Sequence, residues 1–191
     1  MHFTKESYYQ EKFVQISLAQ RVIKEIEFED CTFTDCSIVD CKFESCTFIN
    51  CKFDKCMISA IVPMQSRFVD VRFTDSKVMG VDWTKAKQVQ NVSFENCQID
   101  YSNFRLLKLH KIKMVACVAK ETDFTEADFT EGNFTGTDFE RSVFSKTILT
   151  KSNFTGAKNY AIDARHNSIK GAHFNLPEAL ILLDSLDVVI Q

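Results

Sequence analysis

From residue 3 to residue 83 a large apolar side chain returns at every fifth position except Pro63, through Phe28, Phe33, Ile38, Phe43, Phe48, Phe53 and Ile58 in one unbroken run. Phe3, Tyr8, Phe13, Leu18 and Ile23 extend it upstream, and Phe68, Phe73, Val78 and Trp83 extend it downstream. Between Trp83 and Phe94 the phase slips by one residue, then holds through Phe104, Phe124, Phe129, Phe134, Phe139, Phe144, Phe154 and Phe174. All 18 phenylalanines fall on this beat, here called the centre. Two positions before each centre sits a small or aliphatic residue: Cys31, Cys36, Cys41, Cys46, Cys51 and Cys56 in succession, later Val71, Val81, Val92, Cys97, Cys117, Ala127 and Gly132. The remaining positions are mostly polar.

A period of five is neither helical nor that of a long alternating strand. Side chains two apart share a direction only in extended backbone. Each unit therefore predicts a very short strand with two inward side chains, followed by a corner. Repeated corners of one sense wind the chain into a coil, and coils stack at roughly 4.8 Å. Short-period self-similarity of this kind predicts a solenoid.

Composition narrows the picture. A length of 191 residues suits one domain, and 5 Gly with 2 Pro leave no flexible linker. A net charge of -3 argues against a nucleic-acid binder. The early repeats are the more acidic, with Glu25, Glu27, Glu29, Asp30, Asp35, Asp40, Glu44 and Asp54 facing outward. Such a surface attracts a DNA-binding partner or simply solvates the rod. Residues 1–12 lack the apolar segment of a signal peptide, and no run of 18 apolar residues exists, so neither export nor a membrane span is expected. Eight cysteines without an export signal fit a reducing cytoplasm. Their uniform spacing lacks Cys-x-x-Cys, and each occupies the small inward position, so buried thiols are expected in place of a metal site. In a coil of twenty residues Cys31 lies over Cys51, and Cys36 over Cys56, near disulfide distance.

Ala127-Asp128-Phe129-Thr130-Glu131, followed by Gly132-Asn133-Phe134-Thr135-Gly136 and Ser152-Asn153-Phe154-Thr155-Gly156, resembles the repeat of the pentapeptide-repeat family. The resemblance covers nearly the whole chain. It implies an all-β, right-handed quadrilateral β-helix, four repeats to a coil, with about eight coils and a length of about 40 Å. The expected core is a ladder of rings: Phe28, Phe48 and Phe68 on one wall, Phe33, Phe53 and Phe73 on the next, with Phe124 and Phe144 further on. Asp128 and Asp138 stand where the repeat hydrogen-bonds its corner.

The expected division is a cap over 1–12, a solenoid over 13–174 and a C-terminal module over 175–191. Three irregular stretches interrupt the solenoid. At 59–66, Pro63 takes a centre without a donor for the ladder. The phase slip at 84–93 reads as a bulge. Residues 157–168 keep the phase but lose the consensus, as a loosened coil or a surface loop. Beyond Pro177 the period of five ends, and Ala179, Leu182, Leu183 and Leu186 form a helical stripe. Leu180 and Ile181 fall outside that stripe, and residues 187–191 read as a strand. The tail resembles the dimerisation module of Qnr-type and MfpA-type pentapeptide proteins. That resemblance implies a homodimer through Leu180, Ile181, Leu183, Leu186, Val188 and Ile190. The alternative is a plain cap.

No catalytic constellation, phosphate loop or cofactor motif stands out among the scattered histidines His2, His110, His166 and His173. Asp163, Arg165 and His166 form a weak cluster. Neither an enzyme nor a cofactor is expected. Resemblance to Qnr-type proteins implies a DNA-mimicking rod that binds DNA gyrase or topoisomerase IV and protects it from quinolones. The outward acids Asp35, Asp54, Asp75 and Glu95 are the candidate contacts. The chain departs from that pattern in lacking projecting loops. The alternative is a scaffold or immunity protein with a different partner. Neither reading involves direct nucleic-acid or membrane binding.

Overall fold

A computed structural model describes residues 3–184. The inward pair of each repeat is buried, and three-residue strands wind into four walls. The first wall stacks Ser7–Tyr9, Glu27–Glu29, Thr47–Ile49, Arg67–Val69 and Gln88–Gln90 in that order. The second stacks Lys12–Val14, Thr32–Thr34, Lys52–Asp54, Arg72–Thr74, Ser93–Glu95 and Lys113–Val115. Ser17–Ala19 starts the third wall and Val22–Lys24 the fourth. All pairing is parallel, and Phe28 lies beside Phe48 and Phe48 beside Phe68, so one coil takes twenty residues. Beyond these strands the walls continue as bridges, such as Asn103 to Asp123 and Lys113 to Asn133. The chain is a right-handed quadrilateral β-helix.

Rings fill its axis. Phe28, Phe48 and Phe68 stack at centroid distances of 4.9 and 4.8 Å, and Phe33, Phe53 and Phe73 at 4.5 and 5.0 Å. Phe124 stacks on Phe144 at 5.0 Å. Adjacent walls meet edge to face, as Phe28 does with Phe33. These offset and T-shaped arrangements suit the ring quadrupole. Each buried ring contributes about 2–3 kcal/mol through area alone.

The corners carry a constraint that the sequence pattern hides. Two residues past most centres the backbone N–H donates to the coil below, as Asp35 does to the Asp54 carbonyl at 3.0 Å and Asp75 to that of Glu95 at 3.0 Å. Reaching that carbonyl requires φ near +50 to +60°, and Gln10, Glu25, Asp35, Lys55, Ala60 and Glu126 all adopt it. Left-handed backbone costs an L-residue roughly 1–2 kcal/mol. Asp and Asn tolerate it best after glycine, which suits their frequency at this position. In the later coils a second bond tightens the turn: Gly132 N–H reaches the Phe129 carbonyl at 2.8 Å, and Thr137 that of Phe134 at 3.1 Å. Asp128 reinforces its corner by accepting from the Thr130 N–H at 3.0 Å and hydroxyl at 2.7 Å. Asn133 and Asn153 do the same for Thr135 and Thr155.

Three expectations need correction or refinement. The solenoid begins before residue 13, because Ser7–Tyr9 already pairs with Glu27–Glu29. Phe3 covers the first rings, edge-on to Tyr8, Phe13 and Phe28. The phase slip is a 3-10 turn at Trp83–Lys85, capped by the Asp82 carboxylate, and no strand bulge occurs over 84–93. Gln88–Gln90 then pairs with Arg67–Val69 at a register of twenty-one. Residues 157–168 form a coil: Ala157, Tyr160 and Ile162 are buried, and Lys158 and Ser168 bridge to Asp138 and Ile148. Pro63 keeps its inward place, and the wall bridges from Lys42 to Val62 and again from Asp82 to Asn103 on either side of it. The Trp83 indole fills the axis one coil below that small ring, stacking on Phe104 at 6.0 Å.

At the far end Pro177 leads into a 3-10 turn at Glu178–Leu180 and a helix at Ile181–Asp184. Leu182 packs toward the core, whereas Leu180, Ile181 and Leu183 face outward. Leu186, Val188 and Ile190 lie outside the described residues.

Two substitution tests follow. Phe48→Ala leaves a cavity between Phe28 and Phe68 and should cost about 3–5 kcal/mol in urea unfolding. Ala60 and Gly80 occupy the same corner column, with φ of +52° and +63°. Ala60→Gly should therefore raise unfolding free energy by about 0.5–1 kcal/mol, and Gly80→Ala should lower it by a similar amount.

Candidate functional site

The small inward position is more than a filler. Cys51 Sγ donates to the Phe28 carbonyl of the coil above at 3.3 Å, and Cys56 to that of Phe33 at 3.4 Å. Ser66, Ser76, Thr137 and Ser152 make the same bond to Phe43, Phe53, Met114 and Phe129. Ser66 Oγ also accepts the Cys46 N–H at 3.0 Å, and Ser76 Oγ that of Cys56 at 2.9 Å. This position thus satisfies corner backbone groups that would otherwise be buried without partners. All eight cysteines are buried free thiols. Burial pushes the Cys51, Cys56 and Cys117 thiols up to about 12, which leaves little thiolate for nucleophilic chemistry.

Among the described residues no group of three or more His, Cys, Asp or Glu side chains is placed to hold a metal ion. Asp163 accepts from Arg165 at 3.2 Å and from His166 at 2.7 Å, which hold its carboxyl far below the usual range. That cluster staples one turn, because Arg165 N–H also bonds Asp163 at 2.8 Å. Burial would raise the Asp128 carboxyl, yet bonds from Thr130 and His110 outweigh it and leave the group below its ordinary value. No described helix is long and apolar enough to cross a membrane. A shallow cleft of about 620 Å³ on the second wall mixes signs, with Arg72, Lys111 and Lys113 facing Asp70 and Glu95.

The four candidate acids lie along one edge of that wall. Asp54 pairs in register with Thr74, and Thr74 with Glu95, while Asp35 and Asp75 occupy the adjoining corner column. Asp35, Asp75 and Glu95 are exposed and Asp54 is half-buried. The edge is not continuously acidic. Lys55 sits between Asp35 and Asp75, and Lys52 and Arg72 project from the same strands as Asp54 and Thr74.

Charge is instead sorted by coil, which the sequence reading missed. Residues 101–120 carry five Lys and Arg and no acid; residues 121–140 carry seven acids and no Lys or Arg; residues 141–160 carry four Lys and Arg and no acid. Summing charge over windows of one coil would have found this banding. The bands pair across coils: Arg105 with Asp123 at 3.5 Å, Lys120 with Glu140 at 2.6 Å, and Lys158 with Asp138 at 3.6 Å. Such exposed pairs contribute about 0–1 kcal/mol each.

The model of the pentapeptide repeat region matches residues 26–104 and 87–174. Among solved structures, a trypsin-treated variant of QnrB1, a plasmid-mediated fluoroquinolone resistance protein, is similar with a TM-score of 0.76 and 16% identity over 97% of this chain and 98% of that one. A second trypsin-treated variant gives a TM-score of 0.68 at 16% identity, over 94% of this chain and 100% of that one. Full-length QnrB1 gives 0.52 at 15% identity, over 93% and 100%. At these identities the likeness is one of fold. None of the curated proteins compared matches the chain.

The thiol assignment has a direct chemical check. Iodoacetamide at pH 8 should leave the native protein unmodified by mass and add eight adducts after unfolding in urea. Adducts on the native chain would place thiols at the surface.

Proposed function

The chain belongs to the pentapeptide-repeat family, and on that footing we propose that it is a non-catalytic interaction protein of Qnr-like type. Its target in this reading is DNA gyrase or topoisomerase IV, engaged by outward carboxylates in place of duplex DNA, with protection from quinolones as the consequence. One observation carries the reading. The described chain is a continuous rod whose inward positions are packed, so chemistry with other molecules is left to its outer faces. Asp35, Asp54, Asp75 and Glu95 supply acids along one edge of that rod. Exposed Leu180, Ile181 and Leu183 at the C-terminal end support assembly as a two-fold homodimer, since together they leave apolar surface uncovered.

A second reading has an observation in its favour. Lys52, Lys55 and Arg72 interleave with the acids on the same wall, which weakens any match to a saddle built for a polyanion. This favours a scaffold or immunity role with a protein partner of mixed charge.

A supercoiling assay with purified gyrase and ciprofloxacin separates the two. The topoisomerase reading expects supercoiling to recover at micromolar protein, and the Asp35→Asn, Asp75→Asn double variant to need at least about ten-fold more, equivalent to 1.4 kcal/mol. No recovery at micromolar wild-type protein would remove gyrase as the protected target.

A further inference from the structure

Of the non-glycine residues held at positive φ, Tyr101 and Leu106 are the two with large apolar side chains, at +60° and +62°. Both are also among the most exposed apolar residues described, at 59% and 64%. They mark two consecutive corners of one coil, bounding the fourth wall on either side of Asn103, Phe104 and Arg105. Their backbones perform the ordinary corner duty: Tyr101 N–H bonds the Lys120 carbonyl at 2.9 Å, and Leu106 N–H that of Thr125 at 3.1 Å. That duty fixes the left-handed conformation, for which glycine and asparagine are the natural residues. Bulky side chains here oppose local stability and solvation together. An outlier of this kind points to a selected contact.

We propose that Tyr101 and Leu106 are the anchors by which the fourth wall docks on a folded partner protein that presents apolar recesses with a rim of both signs. The charge around them selects that occupant. Arg105 projects between the anchors and Lys108 follows Leu106. Glu121 and Glu126 hold the same two corners one coil below, with Glu121 facing Arg141 at 3.7 Å and Arg105 facing Asp123 at 3.5 Å, so the rim of the wall carries both signs in alternation. A duplex nucleic acid or an anionic lipid surface laid on this wall would meet those carboxylates at each anchor. A protein surface can place acids opposite Arg105 and Lys108, and bases opposite Glu121 and Glu126. Exposed aromatic and apolar side chains on rigid elements are the usual centre of such contacts. The inference rests on the interaction-protein reading but not on the choice of topoisomerase as target.

The test uses the full chain carrying a photo-crosslinking phenylalanine analogue at position 106 in cells, with position 20, in the corner column of Tyr101 but four coils away, as control. Each adduct is identified, and the complex is rebuilt from purified proteins. The expected result is one protein adduct from position 106 and none from position 20. The Tyr101→Asn, Leu106→Asn double variant should bind the rebuilt partner at least ten-fold more weakly while showing a higher Tm than wild type. An absent adduct, equal adducts from both positions, unchanged affinity, or a lowered Tm would overturn the proposal. So would binding of duplex DNA or phosphatidylglycerol vesicles that depends on Leu106. An adduct other than a topoisomerase would retain this surface and remove that target. Gyrase binding unaffected by the double variant would do the reverse.

Discussion

The backbone bond from each corner N–H to the coil below is the constraint from which the rest of this molecule follows. It sets the coil at twenty residues, because the donor two places past Phe33 must meet the carbonyl one place past Phe53. It forces left-handed backbone at every such corner, whatever side chain the sequence supplies. With the corners fixed, two of five side chains turn inward, and rings from successive coils come within stacking distance. The small inward residue then has one remaining task, which Cys, Ser and Thr perform alike by bonding the carbonyl of the coil above.

Function, in such a scaffold, is a matter of which side chains the outer columns display. Position along the chain translates directly into wall and height, so charges five apart lie on different walls and charges twenty apart lie in one column. That geometry explains why the acids of residues 121–140 sit between two basic coils and are largely neutralised by them. It also explains why an edge bearing Asp35 and Asp75 carries Lys55 between them. Surface electrostatics here encode partner choice and approach more than stability.

Much of the architecture was legible from residues alone because the inward pair is chemically uniform: Phe28, Phe48 and Phe68 announce a wall, and Cys31, Cys51 and Val71 the adjoining slot. The corner conformation was not legible, since Gln10, Lys55, Ala60, Tyr101 and Leu106 share a backbone and no chemistry. The start of the solenoid was misplaced because residues 7–12 already keep the beat through Tyr8. The phase slip gave its position but not its form, which depends on Asp82 capping the turn at Trp83. Outward position nominates Asp35, Asp54, Asp75 and Glu95, whereas the lysines interleaved with them emerge only when every charge is assigned to a column. The exposed strain at Tyr101 and Leu106 required φ values that no composition reports.

A saturation scan of residues 3–174, read as the folded fraction surviving protease in increasing urea, probes the corner constraint most directly. At every position two past a centre that holds left-handed backbone, which leaves out Lys5, the turn at Trp83–Lys85, Ala161 and His166, glycine and asparagine should be best tolerated and valine and isoleucine worst. This preference should recur with a period of five on both sides of the slip. A flat tolerance profile at those positions, or equal tolerance for valine and glycine there, would contradict the corner bond as the organising interaction.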